Sequence, residues 1–207
     1  MAWEQHIPED IATLYEVHDW QHAAAILATD LPHEFSDLCG ALRQFRFTEA
    51  QVRAPGGNES AIPKTFASLL RPKDWIEKKM TAKLVVDDDV VSFDTHKVDF
   101  CKGRVACDLE WNSKDQTFDH DLYAFRAFHE YGKISVAVLV TRSNELDPWF
   151  DKLGTVTDVN GVVRPIKSKF GASTTHIGKL LPRLNAGRSG GCPLLVLGIT
   201  TKLLAEG

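Results

Sequence analysis

Apolar residues recur along this chain at two spacings, one typical of helices and one typical of strands. Spacings of three and four residues predict helices over 9 to 28, 32 to 45, 64 to 80 with a break at Pro72, 119 to 131 and 174 to 184. Short apolar runs predict strands over 83 to 86, 90 to 93, 98 to 101, 105 to 111, 134 to 141 and 192 to 199. Asp119 and Ser173 have side chains suited to cap the last two helices.

In the middle of the chain the predicted order is helix, strand, strand, strand, helix, strand. A strand, a helix and a second, almost wholly apolar strand in succession favour parallel pairing with a right-handed crossover. We therefore predict a single α/β domain with a central mixed β-sheet flanked by helices (αβββαβ). N-terminal helices and a loop would occupy 1 to 82, the core 83 to 141, and further loops with a closing strand 142 to 207.

The connecting segments are rich in residues that disfavour regular structure. Pro, Gly and Asn predict a loop over 53 to 63. A short helix and loop are expected from Ser143 to Phe150. Residues 151 to 171 are expected to be irregular, with a tight turn at Asn160-Gly161.

Residues 97 to 116 read as a β-hairpin. Gly103 lies between Lys102 and Arg104 and separates two β-prone apolar runs, so we expect the chain to reverse there.

The second strand of this hairpin carries three polar side chains on one face. Successive side chains in a strand alternate faces, so Asp108, Glu110 and Asn112 point the same way, and Asp99 on the partner strand can reach that face. Carboxylates repel one another, and such a cluster is costly unless a cation lies among them. The pattern indicates a hard-metal site, although acid-apolar alternation is also typical of any strand with one wet face.

Composition narrows the functional classes. The four cysteines (Cys39, Cys101, Cys107 and Cys192) lie far apart without a CxxC pair, as expected of buried thiols in a reducing compartment. The N-terminus has no apolar signal core, and no apolar run approaches the length of a membrane span. We therefore expect a cytoplasmic protein without a membrane segment.

Charge is distributed unevenly along the chain. The net charge of −4 argues weakly against nonspecific polyanion binding, yet residues 164 to 188 hold six Lys or Arg and no acid, whereas acids crowd 85 to 121. A nucleic acid with a bound metal would satisfy both halves.

Other chemistries fit the sequence less well. The stretch from Gly187 to Gly191 lacks the Gly-Lys-Ser/Thr ending of a P-loop. Cys192 and Ser173 have no evident partner for nucleophilic catalysis, and none of the eight histidines forms His-x-x-x-His.

Asp99, followed after nine positions by Asp108-Leu-Glu110, resembles the active-site pattern of the PD-(D/E)XK nuclease superfamily. Further stretches are similar to the BglII/BstYI group of type II restriction endonucleases, relatives of BamHI. They are Arg-Ala-Pro-Gly-Gly-Asn (53 to 58), Lys-Val-Asp and Lys-Gly-Arg (97 to 104), Asp-Leu-Glu-Trp-Asn-Ser-Lys-Asp (108 to 115), Phe-Asp-His-Asp-Leu (118 to 122), Val-Thr-Arg (140 to 142), Gly-Ala-Ser-Thr-Thr-His (171 to 176) and Gly-Gly-Cys-Pro (190 to 193).

The resemblance implies a restriction-endonuclease-like core and a Mg²⁺-dependent enzyme that cuts double-stranded DNA as a homodimer and leaves 5′ phosphates. Its catalytic residues would be Asp99, Asp108 and Glu110, with Asp99, Asp108 and the Leu109 carbonyl on the metal. Glu110 stands where the superfamily usually has Lys, as in the BamHI-like branch. Glu110 and Asn112 are an alternative catalytic pair.

The resemblance also implies that the loop 171 to 176 enters the major groove at a palindrome, with a GATC centre by analogy. The expected DNA contacts are Asn112, Lys114, Arg142, Lys169, Ser173, Thr174, Thr175, His176 and Arg188. Two alternatives stay open at this point: a DNA-binding protein with a decayed catalytic site, and a repair or junction nuclease of the same fold.

Overall fold

The computed structural model describes residues 2 to 54, 60 to 87, 89 to 157 and 161 to 205. Its α-helices are α1 (Glu9–Leu14), α2 (Ala23–Asp30), α3 (Pro32–Gln44), α4 (Glu49–Arg53), α5 (Ala61–Leu70), α6 (Thr117–Glu130), α7 (Asp147–Lys152) and α8 (Ile177–Asn185). Its strands are β1 (Tyr15–Trp20), β2 (Ile76–Val86), β3 (Asp89–Lys102), β4 (Val105–Glu110), β5 (Val136–Arg142), β6 (Thr155–Thr157), β7 (Val163–Pro165) and β8 (Leu194–Ile199).

A six-stranded mixed sheet forms the centre of the molecule, in the order β1-β8-β5-β4-β3-β2. The pairs β4–β5 and β5–β8 are parallel, whereas β2–β3, β3–β4 and β1–β8 are antiparallel. Strands β5 and β8 are buried along their whole length, as their almost continuous apolar sequences require. The predicted α/β class, the mixed sheet and the parallel crossover through α6 are confirmed.

Helices cover both faces of this sheet. On one face, α6 and α8 pack through residues such as Phe118, Phe125 and Leu180 against Val98, Ala106 and their neighbours. On the other face, α1, α2, α3 and α5 pack on the opposite side chains of the same strands, including Phe100, Cys107 and Val138. The two faces of the sheet therefore contribute to two separate apolar layers, and β3 changes its alternation between Val98 and Phe100, where its pairing with β2 is irregular.

The predicted reversal at Gly103 is present. Gly103 and Arg104 form a two-residue loop between β3 and β4, and Gly103 has φ = 52°. Glycine adopts this left-handed backbone without the strain that a side chain would cause.

The single helix predicted over 9 to 28 is wrong. Helices α1 and α2 occupy its ends, but Tyr15–Trp20 is strand β1, which pairs with β8. Gln21 and His22, at φ 53° and 61°, turn the chain sharply between β1 and α2. The apolar residues of β1 satisfied a helical spacing by chance, and pairing with the exposed edge of β8 determined their structure.

The helix predicted over 64 to 80 is wrong in its second half. Helix α5 ends at Leu70, and a 3-10 turn over Arg71–Lys73 follows. Asp74 has φ = 63° and reverses the chain into β2, so Ile76 to Met80 lie in an edge strand. The predicted break at Pro72 lies in this 3-10 turn, and the helix does not resume beyond it, because proline cannot donate to a continuing helix.

Two caps and one irregular region also differ from expectation. Gln116, and not Asp119, precedes α6, and His176, and not Ser173, precedes α8, so Thr174 to His176 lie before the helix. Part of 151 to 171 is a small antiparallel ribbon of β6 and β7. Residues 55 to 59 of the predicted loop and Asn160 of the predicted turn lie outside the described residues.

All four cysteines are buried free thiols, as predicted. Across the described parts of the chain, none of the helices has the length and apolar character needed to cross a bilayer.

Candidate active site

The β3–β4 hairpin brings Asp99 and Asp108 together. Phe100 lies opposite Cys107 in the antiparallel register. Asp99 and Asp108 are the next residues on the two strands in the direction away from the turn. The backbone N–H of Asp99 donates a hydrogen bond of 2.6 Å to Oδ1 of Asp108. The hairpin register therefore fixes one oxygen of the Asp108 carboxyl, while the Asp99 side chain stays exposed.

Asp108 and Glu110 each have a buried oxygen that receives no hydrogen bond from the described residues. These atoms are Asp108 Oδ2 and Glu110 Oε2. Burial raises the pKa of Asp108 well above its usual value, and the neighbouring Asp99 carboxylate raises it further. Burying an oxygen without a hydrogen-bond donor costs free energy, so these two atoms mark a place where a ligand could supply the missing interaction.

The pKa of Glu110 lies near neutral pH. Burial raises its pKa to about 7, the Asp99 charge adds to this effect, and a hydrogen bond with Ser113 opposes it. Next along the same face, Oδ1 of Asn112 is also buried without a hydrogen-bond partner among the described residues. The predicted common face of Asp108, Glu110 and Asn112 is thus lined by acceptor oxygens.

A cleft of about 890 Å³ opens beside these residues. Asp99, Glu110, Asn112 and Lys114 line it from the hairpin and the segment after it. Pro63 and Ala67 of α5, Arg71 directly after α5 and Glu77 of β2 also line it. A chain of substrate lying in this cleft would pass beside the unpartnered oxygen of Glu110.

The chemistry of these side chains suits a hard divalent cation, which prefers carboxylate and carbonyl oxygens. In the parts of the chain that the structure describes, no group of three His, Cys, Asp or Glu side chains is already arranged to hold a metal ion. Binding would therefore require at least one carboxylate, such as the exposed Asp99, to turn toward the others.

Two further residues belong to this region although the sequence prediction did not include them. Arg71 lines the cleft from the end of α5 and presents an exposed cation opposite the carboxylates. Asp121 lies on α6 and is only 3% exposed. The sequence carried a signal for Asp121, because a carboxylate between Phe118, Leu122 and Phe125 falls on the apolar face of its helix.

The loop 171 to 176 is attached to the segment that follows β4. Backbone hydrogen bonds of 2.9 Å run from Asp115 N to Ser173 O and from Thr175 N to Ser113 O, around a bridge between Lys114 and Thr174. Ser173 is exposed, Thr174 and His176 are half-buried, and Thr175 is buried.

Arg142 lies in the interior and not on the surface. The residue is 1% exposed. Its guanidinium donates from Nε to the Trp111 carbonyl at 2.7 Å and from Nη2 to Thr174 Oγ1 at 2.6 Å. It also lies over the rings of Phe150 and Phe170. Burial lowers its pKa to about 10. The side chain joins the segment directly after β4 to the loop.

Two other basic side chains in the expected DNA-contact set are engaged within the protein. Lys169 donates to the carbonyls of Val52 and Ala54 at the end of α4, at 2.8 and 2.5 Å. Arg188 is exposed and pairs with Asp119 on α6.

His176 lies where the loop enters α8. Its Nδ1 is 3.1 Å from Asn144 Oδ1, and the same oxygen accepts the Gly178 N–H at 2.8 Å. Burial is the main reason that its pKa lies below the usual value, and the Arg142 charge lowers it further.

The comparisons with known proteins agree with this architecture. The family model described as restriction endonuclease BglII/BglIII matches residues 15 to 199, which span β1 to β8 and include the hairpin, the cleft and the loop. No individual curated protein is similar enough to count as a match. The chain therefore belongs to the BglII/BglIII family of restriction endonucleases and is a type II site-specific deoxyribonuclease.

Proposed function

We propose that this endonuclease cuts DNA in a Mg²⁺-dependent reaction at the cleft beside β4. The observation that carries the proposal is the pair of buried oxygens on Asp108 and Glu110 that receive no hydrogen bond from the described residues, beside a cleft that Asp99 and Glu110 line. Asp99, Asp108 and the Leu109 carbonyl would hold the cation, which, when bound, acts as a Lewis acid on the phosphate and lowers the pKa of the attacking water.

Glu110 is the group that handles the proton of that water. Its pKa of about 7 suits a side chain that must accept a proton and release it again near neutral pH. Water attacks phosphorus in line, the bond to the 3′ oxygen breaks, and a 5′ phosphate and a 3′ hydroxyl remain. The Asp99 amide keeps Asp108 in place, and Ser113 orients Glu110.

We prefer Asp108 and Glu110 to the alternative pair of Glu110 and Asn112. The hydrogen bond from the Asp99 amide ties Asp108 directly to the other carboxylate of the site. Asn112 lies farther along the cleft with an open acceptor oxygen, which suits contact with a donor on DNA.

Recognition of double-stranded DNA is assigned to the loop 171 to 176 and to the edge of the cleft. Ser173 is exposed at the point of the loop, and Lys114 and Asn112 face the cleft, so these side chains can approach bases or phosphates. Thr174, Thr175 and His176 hold the loop in shape through the contacts described above. Arg142 and Lys169 act as positioning residues inside the protein, and Arg188 lies at the rim.

Assembly and substrate symmetry complete the proposal. One catalytic centre cuts one strand, so cleavage of both strands at a palindrome is most simply achieved by a two-fold symmetric homodimer. The resemblance of the recognition loop supports a short palindrome centred on GATC. The four buried free thiols support a reducing location such as the cytoplasm.

Isosteric variants test the catalytic assignment. Asp99→Asn and Glu110→Gln remove one charge each, and both are expected to abolish detectable plasmid cleavage in Mg²⁺. Neither carboxylate attracts DNA, so specific binding in Ca²⁺, measured by gel shift, should persist.

Glu49→Gln is the matched control, because Glu49 pairs with Arg53 on the surface of α4 and does not line the cleft, so it should leave cleavage unchanged. Loss of specific binding together with cleavage in Asp99→Asn would contradict the assigned roles. DNA that survives wild-type enzyme and Mg²⁺ would favour a decayed site instead.

A further inference from the structure

Helix α6 places a carboxylate against the catalytic strand. Residues three and four apart on a helix share a face, so Asp121 lies on the same side of α6 as Phe118, Leu122 and Phe125. Those apolar residues are buried in the layer that includes Val98 of β3 and other residues of that sheet face. Asp121 therefore points toward the sheet and not toward solvent, which agrees with its 3% exposure.

Asp108 faces the same layer from the other side. Ala106 belongs to the apolar layer beneath α6, and alternation along β4 puts Asp108 and Glu110 on the same face as Ala106. The side chains of Asp121 and Asp108 are thus directed into one region between helix and strand. Their mutual effect agrees with this geometry: after burial, the Asp108 and Glu110 charges are the largest causes that raise the pKa of Asp121.

Hydrogen bonding within the protein does not explain this arrangement. Oδ2 of Asp121 is buried, and within the described chain no donor reaches it, as is also true of Oδ2 of Asp108. A carboxylate kept for structural reasons normally has hydrogen-bond donors that offset its burial. Two buried carboxylate oxygens without a described donor, on a helix and a strand that face the same layer, instead offer acceptors to a cation.

We propose that Asp121 is a fourth carboxylate of the metal site and that its Oδ2 helps to hold the divalent cation. The inference rests on the proposed function of Asp99, Asp108 and Glu110. It adds a residue from α6, so that the cation joins the sheet to the helix that covers it.

The test measures cation affinity in the absence of DNA and without a cleavage readout. Binding of Mn²⁺ to the full chain at pH 7.5 is followed by electron paramagnetic resonance of the free ion. Asp121→Asn keeps the shape of the side chain and is expected to weaken Mn²⁺ binding about tenfold or more. Asp108→Asn is expected to weaken binding at least as much.

Asp119→Asn is the matched control. Asp119 lies two residues away on the same helix but pairs with Arg183 and Arg188, so its loss should leave Mn²⁺ affinity within about twofold. Thermal unfolding in EDTA distinguishes metal binding from folding: Asp121→Asn should be at least as stable as wild type, because a desolvated charge is removed. If Asp121→Asn does not fold, Asp121→Ser takes its place and is likewise expected to weaken Mn²⁺ binding about tenfold or more.

Wild-type affinity in a folded Asp121→Asn or Asp121→Ser variant would overturn this inference and leave the proposed function intact. Absence of Mn²⁺ binding by the wild-type protein would overturn the proposed metal site itself. The two failures are therefore distinguishable.

Discussion

The buried acids of the candidate active site are useful for the proposed function but unfavourable for the stability of the metal-free protein. Asp108, Glu110 and Asp121 all have a raised pKa, chiefly because burial removes their carboxyl groups from water. The metal-free protein is consequently strained at neutral pH by groups that favour their neutral form. In the proposed metal site, a bound cation would relieve that strain, so metal affinity and metal-free stability would depend on the same side chains.

The pH dependence of stability without metal follows from Glu110. Its pKa rises from 4.5 to about 7 on folding, so its contribution to the free energy of unfolding is fully present below about 4.5 and is lost as pH rises through about 7. Urea unfolding in EDTA should therefore show wild-type stability that falls between pH 5 and pH 8. Glu110→Gln should reduce this fall.

The acids that form ion pairs do not change stability between pH 5 and pH 8. The pKa of Asp119 and that of Asp37 are lowered from 3.8 by their Arg and Lys partners. Their contribution to the free energy of unfolding is therefore lost only at a pH below this window. A wild-type protein that becomes more stable from pH 5 to pH 8 in EDTA would show that the buried acids do not titrate in this way.

At the scale of elements, the connection between β4 and the loop 171 to 176 depends on Arg142. Its guanidinium bonds the Trp111 carbonyl directly after β4 and the Thr174 hydroxyl in the loop, between two phenylalanine rings. A buried guanidinium is costly, and these two hydrogen bonds and the ring contacts offset that cost.

Arg142→Met tests this connection. The change keeps an apolar stem but leaves the Trp111 carbonyl without its donor, which should cost about 1–3 kcal/mol in the free energy of unfolding by urea. Cleavage and discrimination between sites should decline together. Arg104→Met is the control: Arg104 also bonds a carbonyl, that of Gly132, but is exposed, so about 0.5 kcal/mol or less is expected. Equal costs for the two variants would argue against this connection.

The elements that the sequence predicted correctly are those with one dominant pattern. Helices α3 and α6 have clear apolar faces, and β5 and β8 are continuous apolar runs, so their local pattern and their tertiary environment agree. Strand β1 was missed because its six residues fit two periods, and only the partner β8, far along the chain, decides between them.

The candidate site was predictable where it follows from a single hairpin, and not where it depends on packing. Alternation along β4 was enough to group Asp108 with Glu110. The inward direction of Arg142 and the approach of Asp121 depend on how α6, α7 and the loop pack, which no local spacing encodes. Asp121 nevertheless carried a hint, since it places a charge on the apolar face of its helix.

At the scale of the whole molecule, the acid-free segment 164 to 188 is not a free positive surface. Lys167 pairs with Asp151, Arg183 with Asp115 and Asp119, and Lys169 bonds the carbonyls at the end of α4. Folding thus brings acids from other segments to this one. Lys114 and Arg71, which line the cleft, are therefore our candidates for the attraction of DNA, more than this segment as a block.

The surface of α6 is our candidate for the centre of the dimer interface, with the helices before residue 46 beside it. Tyr123 and Tyr131 are 50% and 54% exposed there, and exposed aromatic residues are enriched at interfaces. Tyr123→Glu should shift sedimentation of the protein at micromolar concentration from dimer to monomer.

Val163→Glu provides the comparison, because Val163 is 62% exposed on the β6–β7 ribbon and the same charge there should leave the dimer intact. A wild-type protein that remains monomeric both free and on DNA would contradict the homodimer. A dimer that tolerates Tyr123→Glu would move the interface to the N-terminal helices.

The attachment of the loop 171 to 176 to residues 113 to 115 has a consequence for how new specificities arise. A hexapeptide transplanted from a relative would have to place its backbone against Ser113 and Asp115 in the same way and supply an acceptor for Arg142 in place of the Thr174 hydroxyl. Sequence preference in this lineage should therefore change through coupled replacements, with the residues just after the catalytic strand inherited together with the loop. Engineering that exchanges both segments as one cassette respects this linkage.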